Sequence, residues 1–359
     1  MFENLHIVWT IAVKDILDAI KNRFVLYQII AVSVILVSIK GLGLIIQPPY
    51  TQVIVFDPAG SNLSAMLEES SDFGVSQTAS LKELQQSISN MGFGLGAEMG
   101  IEIPPGFDVN FENGEQSEIS GYVSWANRRK AAGIQSEMEA ALQDLTGKPI
   151  KINIDGNIIT PPGEIGLLVG IVTIFAVTII LNIGIILVPA LMLEEKQNRT
   201  LDALLVSPAS IGQVVAGKAL AGTFYILVTA AIVYLIYWSG VYHWGVTALF
   251  VIGAVLFAVA VGLLFGILFD RQQEMTGWLS LLLVFISGSI FVELINVELP
   301  AFLEQLLPWL PPVALAKIFW ASFSSRIDTL QILSSFSAVL IVSGFIFGFI
   351  IWRVKQLDR

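Results

Sequence analysis

Six long apolar runs, at residues 24–46, 165–191, 214–237, 246–269, 277–296 and 330–352, constrain this chain more than any other feature. A hydrocarbon core about 30 Å thick is crossed by a helix of about 20 residues. Inside it only a helix or a closed barrel satisfies its own backbone, and barrel strands need only about 10 residues each. The runs therefore predict an α-helical polytopic membrane protein with six transmembrane helices. Composition agrees: 13% of the residues are charged and 55% hydrophobic, whereas soluble domains are about a quarter charged.

Orientation follows from lysine and arginine in short loops and tails. With six spans, Lys14, Lys21, Arg23, Lys196, Arg199, Lys218, Arg271, Arg353, Lys355 and Arg359 fall on one side. The opposite short loops offer Lys317 and Arg326, with Lys40 near the end of the first run. Both termini are therefore expected in the cytoplasm. The first run starts late, is long and lacks a small-residue cleavage pattern, so it reads as a span and not a signal peptide.

Residues 1–23 read as an interfacial amphipathic helix. Leu5, Trp9, Ala12, Ile16 and Ile20 share one stripe; Thr10, Lys14, Asp18 and Lys21 lie opposite. A plain cytoplasmic extension of the first span (24–46) is the alternative.

Residues 47–163 form the one large hydrophilic region, bounded by Pro48-Pro49 and Pro161-Pro162-Gly163. The runs 51–57 and 150–156 are strand-like by β-branched content and alternation, and 97–103 and 117–123 more weakly so. Residues 80–89 and about 124–145 read as helices. The prediction is an α+β domain outside the membrane, inserted between spans 1 and 2. It carries fifteen acidic residues against six basic ones, nearly all of the chain's net charge of −10. A solvated acidic surface accounts for this, and a cation-attracting vestibule is the alternative.

Residues 164–359 hold the other five spans. Within them, 297–329 is broken by Pro300, Pro308, Pro311 and Pro312, which suggests short helices in a re-entrant outer loop. Trp309, Trp320, Tyr237, Trp238, Tyr242 and Trp244 suit a membrane interface. There is no cysteine, and the two histidines, His6 and His243, are far apart. Disulfides, thiolate chemistry and a His-based zinc site or triad have no material, and no clustered acidic spacing indicates a metal.

The polar stretch after the second span contains Gly212-x-x-x-x-Gly217-Lys218, most of a phosphate-binding loop. That loop needs Ser or Thr after the lysine and a strand before the glycines. Here Ala219 follows Lys218, and Ser207-Pro208 starts a helix, serine capping and proline fitting the first turn. The glycines and Lys218 then belong to the first turns of the third span, with Lys218 expected to snorkel to the cytoplasmic face. No nucleotide site is expected in this chain.

Just upstream, Leu201, Leu204 and Leu205 project to one side of a short helix that Thr200 can cap, beside Glu194, Glu195 and Lys196. Such a helix on a cytoplasmic loop suits docking to another protein; a helix lying on lipid headgroups is the alternative.

The segment 194–208 closely resembles the cytoplasmic coupling segment of ABC-2 type exporter permeases, particularly a sodium- and drug-efflux branch with a large external loop. Glu194, Glu195, Lys196, Asn198, Arg199, Thr200, Leu201, Leu204, Leu205, Ser207 and Pro208, with Gly217 and Lys218, match the pattern; Asp202 stands where glutamate is more usual. Residues 13–24 look like the family's N-terminal interfacial helix, with Lys14, Asp15, Asp18, Lys21 and Arg23. Residues 101–115 are similar to the family's external-domain signature, and the proline-rich outer loop matches too.

The resemblance implies an exporter membrane subunit in the prokaryotic cell membrane. It implies a partner cytoplasmic ABC ATPase that binds ATP and Mg, a second permease subunit, same or homologous, and contact with membrane lipid. No nucleic-acid partner, catalysis or cofactor of its own is expected. ATP binding would push on 194–208 and the N-terminal helix, tilting the spans. The resemblance permits an ion, drug, peptide or lipid as substrate. One rival is an ion-coupled secondary transporter, a class that carries charges at mid-membrane; Glu293, late in the fifth run, is the main such charge here. Another is a membrane sensor or assembly protein with an external binding domain. A membrane protease is weakest, since neither H-E-x-x-H nor G-x-S-x-G occurs.

Overall fold

A computed structural model describes residues 2–21, 27, 30–31, 33–38, 51–90, 99–113, 118–159, 167–197, 210–295 and 299–357. The first helix, α1, runs over Phe2–Lys21. Most of the first expected span, 24–46, lies outside the described residues; residues 33–38 of it are helical. Leu36 is fully buried, and its carbonyl accepts a 3.5 Å hydrogen bond from the Tyr237 hydroxyl.

The hydrophilic region folds as β1 (Thr51–Phe56), α2 (Asn62–Glu69), β2 (Phe73–Gln77), α3 (Leu81–Asn90), β3 (Met99–Glu102), α4 (Phe107–Glu112), β4 (Glu118–Ser124), α5 (Ala131–Thr146), β5 (Lys151–Asn153) and β6 (Ile158–Ile159). Strand order is β2-β1-β3-β4-β5, and β6 pairs with β4. Only β3–β4 is antiparallel. The domain expected as α+β thus has its helices interleaved with mostly parallel strands. Parallel neighbours need long crossovers, and α2, α3 and α5 supply them.

Helices cover both faces of this sheet. Val53, Val55, Met99, Ile101 and Ile119 pack with Leu67 of α2 and Leu142 of α5. Ile54 and Tyr122 pack on the other face with Leu84 and Ile88 of α3. That explains why Val53-Ile54-Val55 is one unbroken buried run: a strand covered on both faces does not alternate. Burial, together with a 2.6 Å hydrogen bond donated to the Glu102 carboxylate, pushes the Tyr122 phenol up to about 12.

The expected helix over 124–145 is broken. A 3₁₀ turn, Trp125–Asn127, precedes α5, and Arg128 explains the break. Its guanidinium donates to the carbonyls of Trp125 and of Ser239 and lies 4.0 Å from the Trp125 ring centroid. Trp125 in turn packs on Tyr242, ring centroids 4.6 Å apart. The α/β domain thus meets the bundle at the turn after its second long helix.

Five described helices are long and apolar enough to cross a membrane: Gly170–Glu194, Ile211–Ile236, Trp244–Leu268, Gln272–Leu294 and Thr329–Gln356. They belong to α6 (Leu167–Gln197), α7 (Ile211–Ile236), α8 (Trp244–Leu268), α9 (Gln272–Leu294) and α12 (Thr329–Leu357). All five were expected, within a few residues. Between α9 and α12 lie α10 (Ala301–Leu306), a 3₁₀ turn and α11 (Pro311–Ala321), the short helices that the prolines indicated. Pro311 and Pro312 open α11 where no intrahelical donor is needed.

Water does not drive helices together inside a membrane, so close packing must. A Cβ on Gly262 of α8 would lie 2.6 Å from the Gly184 carbonyl oxygen of α6, so only glycine lets these helices touch there. The aromatic residues expected at a membrane interface differ in exposure. Trp238, Trp244 and Trp309 are about half exposed, whereas Tyr237, capping the end of α7, and Trp320 of α11 are buried.

Candidate coupling site at the lysine-bearing end of the bundle

Chain direction divides the bundle into two ends. Lys196 lies in the last turn of α6, Lys218 lies two turns into α7, and the α8–α9 turn carries Asp270 and Arg271 at the same end. The α/β domain meets the other end, at Ser239 and Tyr242.

At the first end, Lys196 Nζ donates to Asp270 Oδ1 at 2.8 Å, to the Phe269 carbonyl at 3.0 Å and to the Ile267 carbonyl at 3.4 Å. The last carbonyls of a helix lack intrahelical partners and carry the negative end of its dipole. A lysine from α6 therefore fastens α6 to the end of α8. Arg271 and Glu274 also pair, at 3.6 Å, but both are largely exposed and contribute little.

The tighter arrangement joins α1 to α7. Lys218 Nζ lies 3.2 Å from Asp15 Oδ2, with 2% and 6% of the two side chains exposed. Next to it, a Cβ on Gly217 would meet Ile11 Cγ2 at 2.5 Å and the Val8 carbonyl oxygen at 3.3 Å, so α1 lies against bare backbone. Two turns further along α7, the buried Tyr225 donates its hydroxyl to the Ile16 carbonyl at 2.6 Å. Close approach, ion pair and hydrogen bond clamp α1 across the start of α7.

This corrects two expectations. Lys218 does not snorkel to a lipid edge, because α1 covers it and supplies a carboxylate. The buried side of α1 is centred on Ala12 and Asp15, while Trp9 is 62% exposed. Of the expected stripe, Ala12 and Ile16 do pack against the bundle; Trp9 departs from it, because the buried face is turned toward Asp15 and leaves Trp9 at its edge. The one signal for the true face was Asp15, three residues from Ala12 and paired in charge with a lone lysine in an apolar span.

The remaining expected site residues divide. Lys14, Asp18 and Glu194 are exposed, free to meet a partner surface. Glu195 lies within α6 and Lys21 ends α1; their side chains, like Arg23, Asn198, Arg199, Thr200, Leu201, Asp202, Leu204, Leu205, Ser207 and Pro208, lie outside the described residues. The helix start expected at Ser207-Pro208 lies there too; the described capping serine is Ser210. It accepts from the Gln213 N–H at 3.3 Å while Gln213 returns a bond to the Ser210 N–H, a capping box.

The clamp sets one substitution test. Gly217→Val places a branched side chain where Ile11 and the Val8 carbonyl already lie. It is expected to displace α1 and lower the thermal midpoint of the purified protein, while Gly212→Ala, at a position open to solvent, leaves it unchanged. Equal midpoints for Gly217→Val and wild type would show that α1 does not pack here.

No curated protein and no solved structure matches the chain. A family model described as ABC-2 family transporter protein matches residues 23–353, nearly the whole length and all five described spans. The chain belongs to the ABC-2 family of transporter proteins, multi-pass membrane subunits of ABC transporters that are not themselves enzymes and generally work with an ATPase subunit.

Proposed function

We propose that this chain is the permease subunit of an ATP-driven exporter, carrying substrate out of the cytoplasm as one of a pair of such subunits. The clamp of α1 on α7 is the observation that supports this most directly. A partner that pushes on α1 or on 194–208 from the lysine-bearing end moves α7 and α6 with it, since Asp15–Lys218 and Lys196–Asp270 tie the pieces together. Energy would enter at that end, and ATP and Mg would be held by the partner. The sodium- and drug-efflux branch remains part of this reading, on the strength of the 194–208 and 101–115 patterns.

The reading places the lysine-bearing end, with both termini, in the cytoplasm and the α/β domain outside a prokaryotic cell membrane. Basic residues favour the cytoplasmic side, and the domain meets the bundle at the opposite end. Accordingly, a cysteine at the exposed Ser136 of α5 is expected to react with an impermeant thiol reagent in intact cells (with any outer membrane permeabilised). A cysteine at the exposed Gln273, beside Arg271, should react only after lysis. The chain has no cysteine to give background. The reverse labelling pattern would invert the topology and remove the exporter direction.

A further inference from the structure

At the end of the bundle that meets the α/β domain, α9, α11, the start of α12 and the first turns of α6 line an open cavity of about 620 Å³. Pockets that hold small ligands span about 300–1,000 Å³. Four charged residues line it: Glu293, Lys317, Arg326 and Asp328. Their charges cancel.

Each charge has a different status. Lys317 is the one charged residue of α11, a helix whose other residues up to Trp320 are buried. It pairs with Glu293 of α9 at 2.7 Å, with 18% and 27% of the side chains exposed. Ionisable groups set into apolar helices of a membrane protein are rare and mark functional sites by default. Asp328 accepts from the Leu330 and Gln331 N–H groups at 3.0 and 3.1 Å, and so starts α12. The Arg326 guanidinium has no hydrogen bond or ion pair among the described residues, yet it lines the same space. Trp320 forms part of the wall.

We propose that this cavity binds a zwitterionic phosphodiester headgroup. Arg326 takes the phosphate, which a guanidinium matches with two parallel donors. Glu293 and Trp320 take the ammonium, by charge and through the aromatic face. Overall neutrality favours such a ligand over an anion or a cation alone, since either would leave an unmatched charge in the site.

The test is native mass spectrometry of the full chain in neutral maltoside micelles, titrated with dioctanoyl phosphatidylcholine. Binding is expected to be at least about tenfold tighter than that of dioctanoyl phosphatidylglycerol, which lacks the ammonium, one unmatched charge-assisted contact being worth about a factor of ten. Arg326→Gln should weaken phosphatidylcholine binding by about the same factor. Arg326 is exposed, so that variant keeps the fold, whereas Glu293→Gln strands Lys317 and serves only as a supporting variant. Competition by free glycerophosphocholine would assign the site to a soluble zwitterion; no competition would assign it to a bilayer lipid. Equal binding of the two lipids, or binding unchanged in Arg326→Gln, overturns the proposal. The measurement uses the chain without any ATPase, so its failure would leave the permease reading standing.

Discussion

Replacing Leu204 and Leu205 together with alanine is expected to abolish transport and to strip the ATPase subunit from the purified complex, while the permease still inserts and folds. The expectation rests on the proposed docking role of 194–208. Two adjacent leucines, which the sequence pattern puts on one side of an expected short helix, would supply the apolar anchor that such an interface needs. Truncating one buried anchor costs about 2 kcal/mol or more, about thirtyfold in affinity, and two act on the same contact. Insertion is spared because the pair lies between spans, beyond the end of α6 at Gln197 and before α7 begins at Ile211. The control is Glu194→Ala: an exposed charge at such an interface contributes about 1 kcal/mol or less, so co-purification should fall only a few-fold. The measurement is the ratio of ATPase to permease after affinity purification, alongside transport in vesicles. Full assembly with transport intact in the double-leucine variant would sink the coupling role and return the segment to a helix on the lipid surface.

How far the sequence could be read differs between the two halves of the chain. The five described spans were legible because each is an apolar run longer than any soluble strand, a signal of length that needs no knowledge of neighbours. In the α/β domain, β1 and β5 were legible from β-branched residues, but β2 was not. Phe73-Gly-Val-Ser-Gln has one buried residue and a glycine, and it becomes a strand only because Thr51 to Val55 offer a parallel edge. The helix Asn62–Glu69 was missed for a related reason. Its start depends on Ser61, whose hydroxyl accepts from the Ser64 N–H at 3.3 Å, and on Asp108, 46 residues away, accepting from the Asn62 N–H at 2.9 Å. At the candidate site the residue types were visible and the pairing was not. Asp15 and Lys218 stand 203 positions apart, and nothing local says that an acid on one helix covers a lysine on another.

That pair carries the second large prediction. Lys218→Met leaves the Asp15 carboxylate, with 6% of its side chain exposed, without its lysine partner. Breaking a buried pair from one side costs about 3–5 kcal/mol, because the stranded charge must stay desolvated or pull its helix away to reach water. The variant is therefore expected to lose α1 docking: a thermal midpoint well below wild type, and α1 exposed to protease at the exposed Lys14. Asp15→Leu alone should do the same from the other side, stranding the lysine. The double variant, Asp15→Leu with Lys218→Met, removes both charges and fills the space with apolar volume. Replacing a buried pair in this way is often neutral or stabilising by about 1–4 kcal/mol, so docking should return. Transport then separates two uses of the pair. If α1 acts on α7 through packing at Gly217 and Tyr225, the double variant transports like wild type, since those contacts remain. If only the double variant's stability recovers and transport stays lost, the charges themselves participate in the coupling motion. A Lys218→Met variant as stable as wild type would contradict the burial of the pair, and with it the clamp on which the proposed path from α1 to the spans depends.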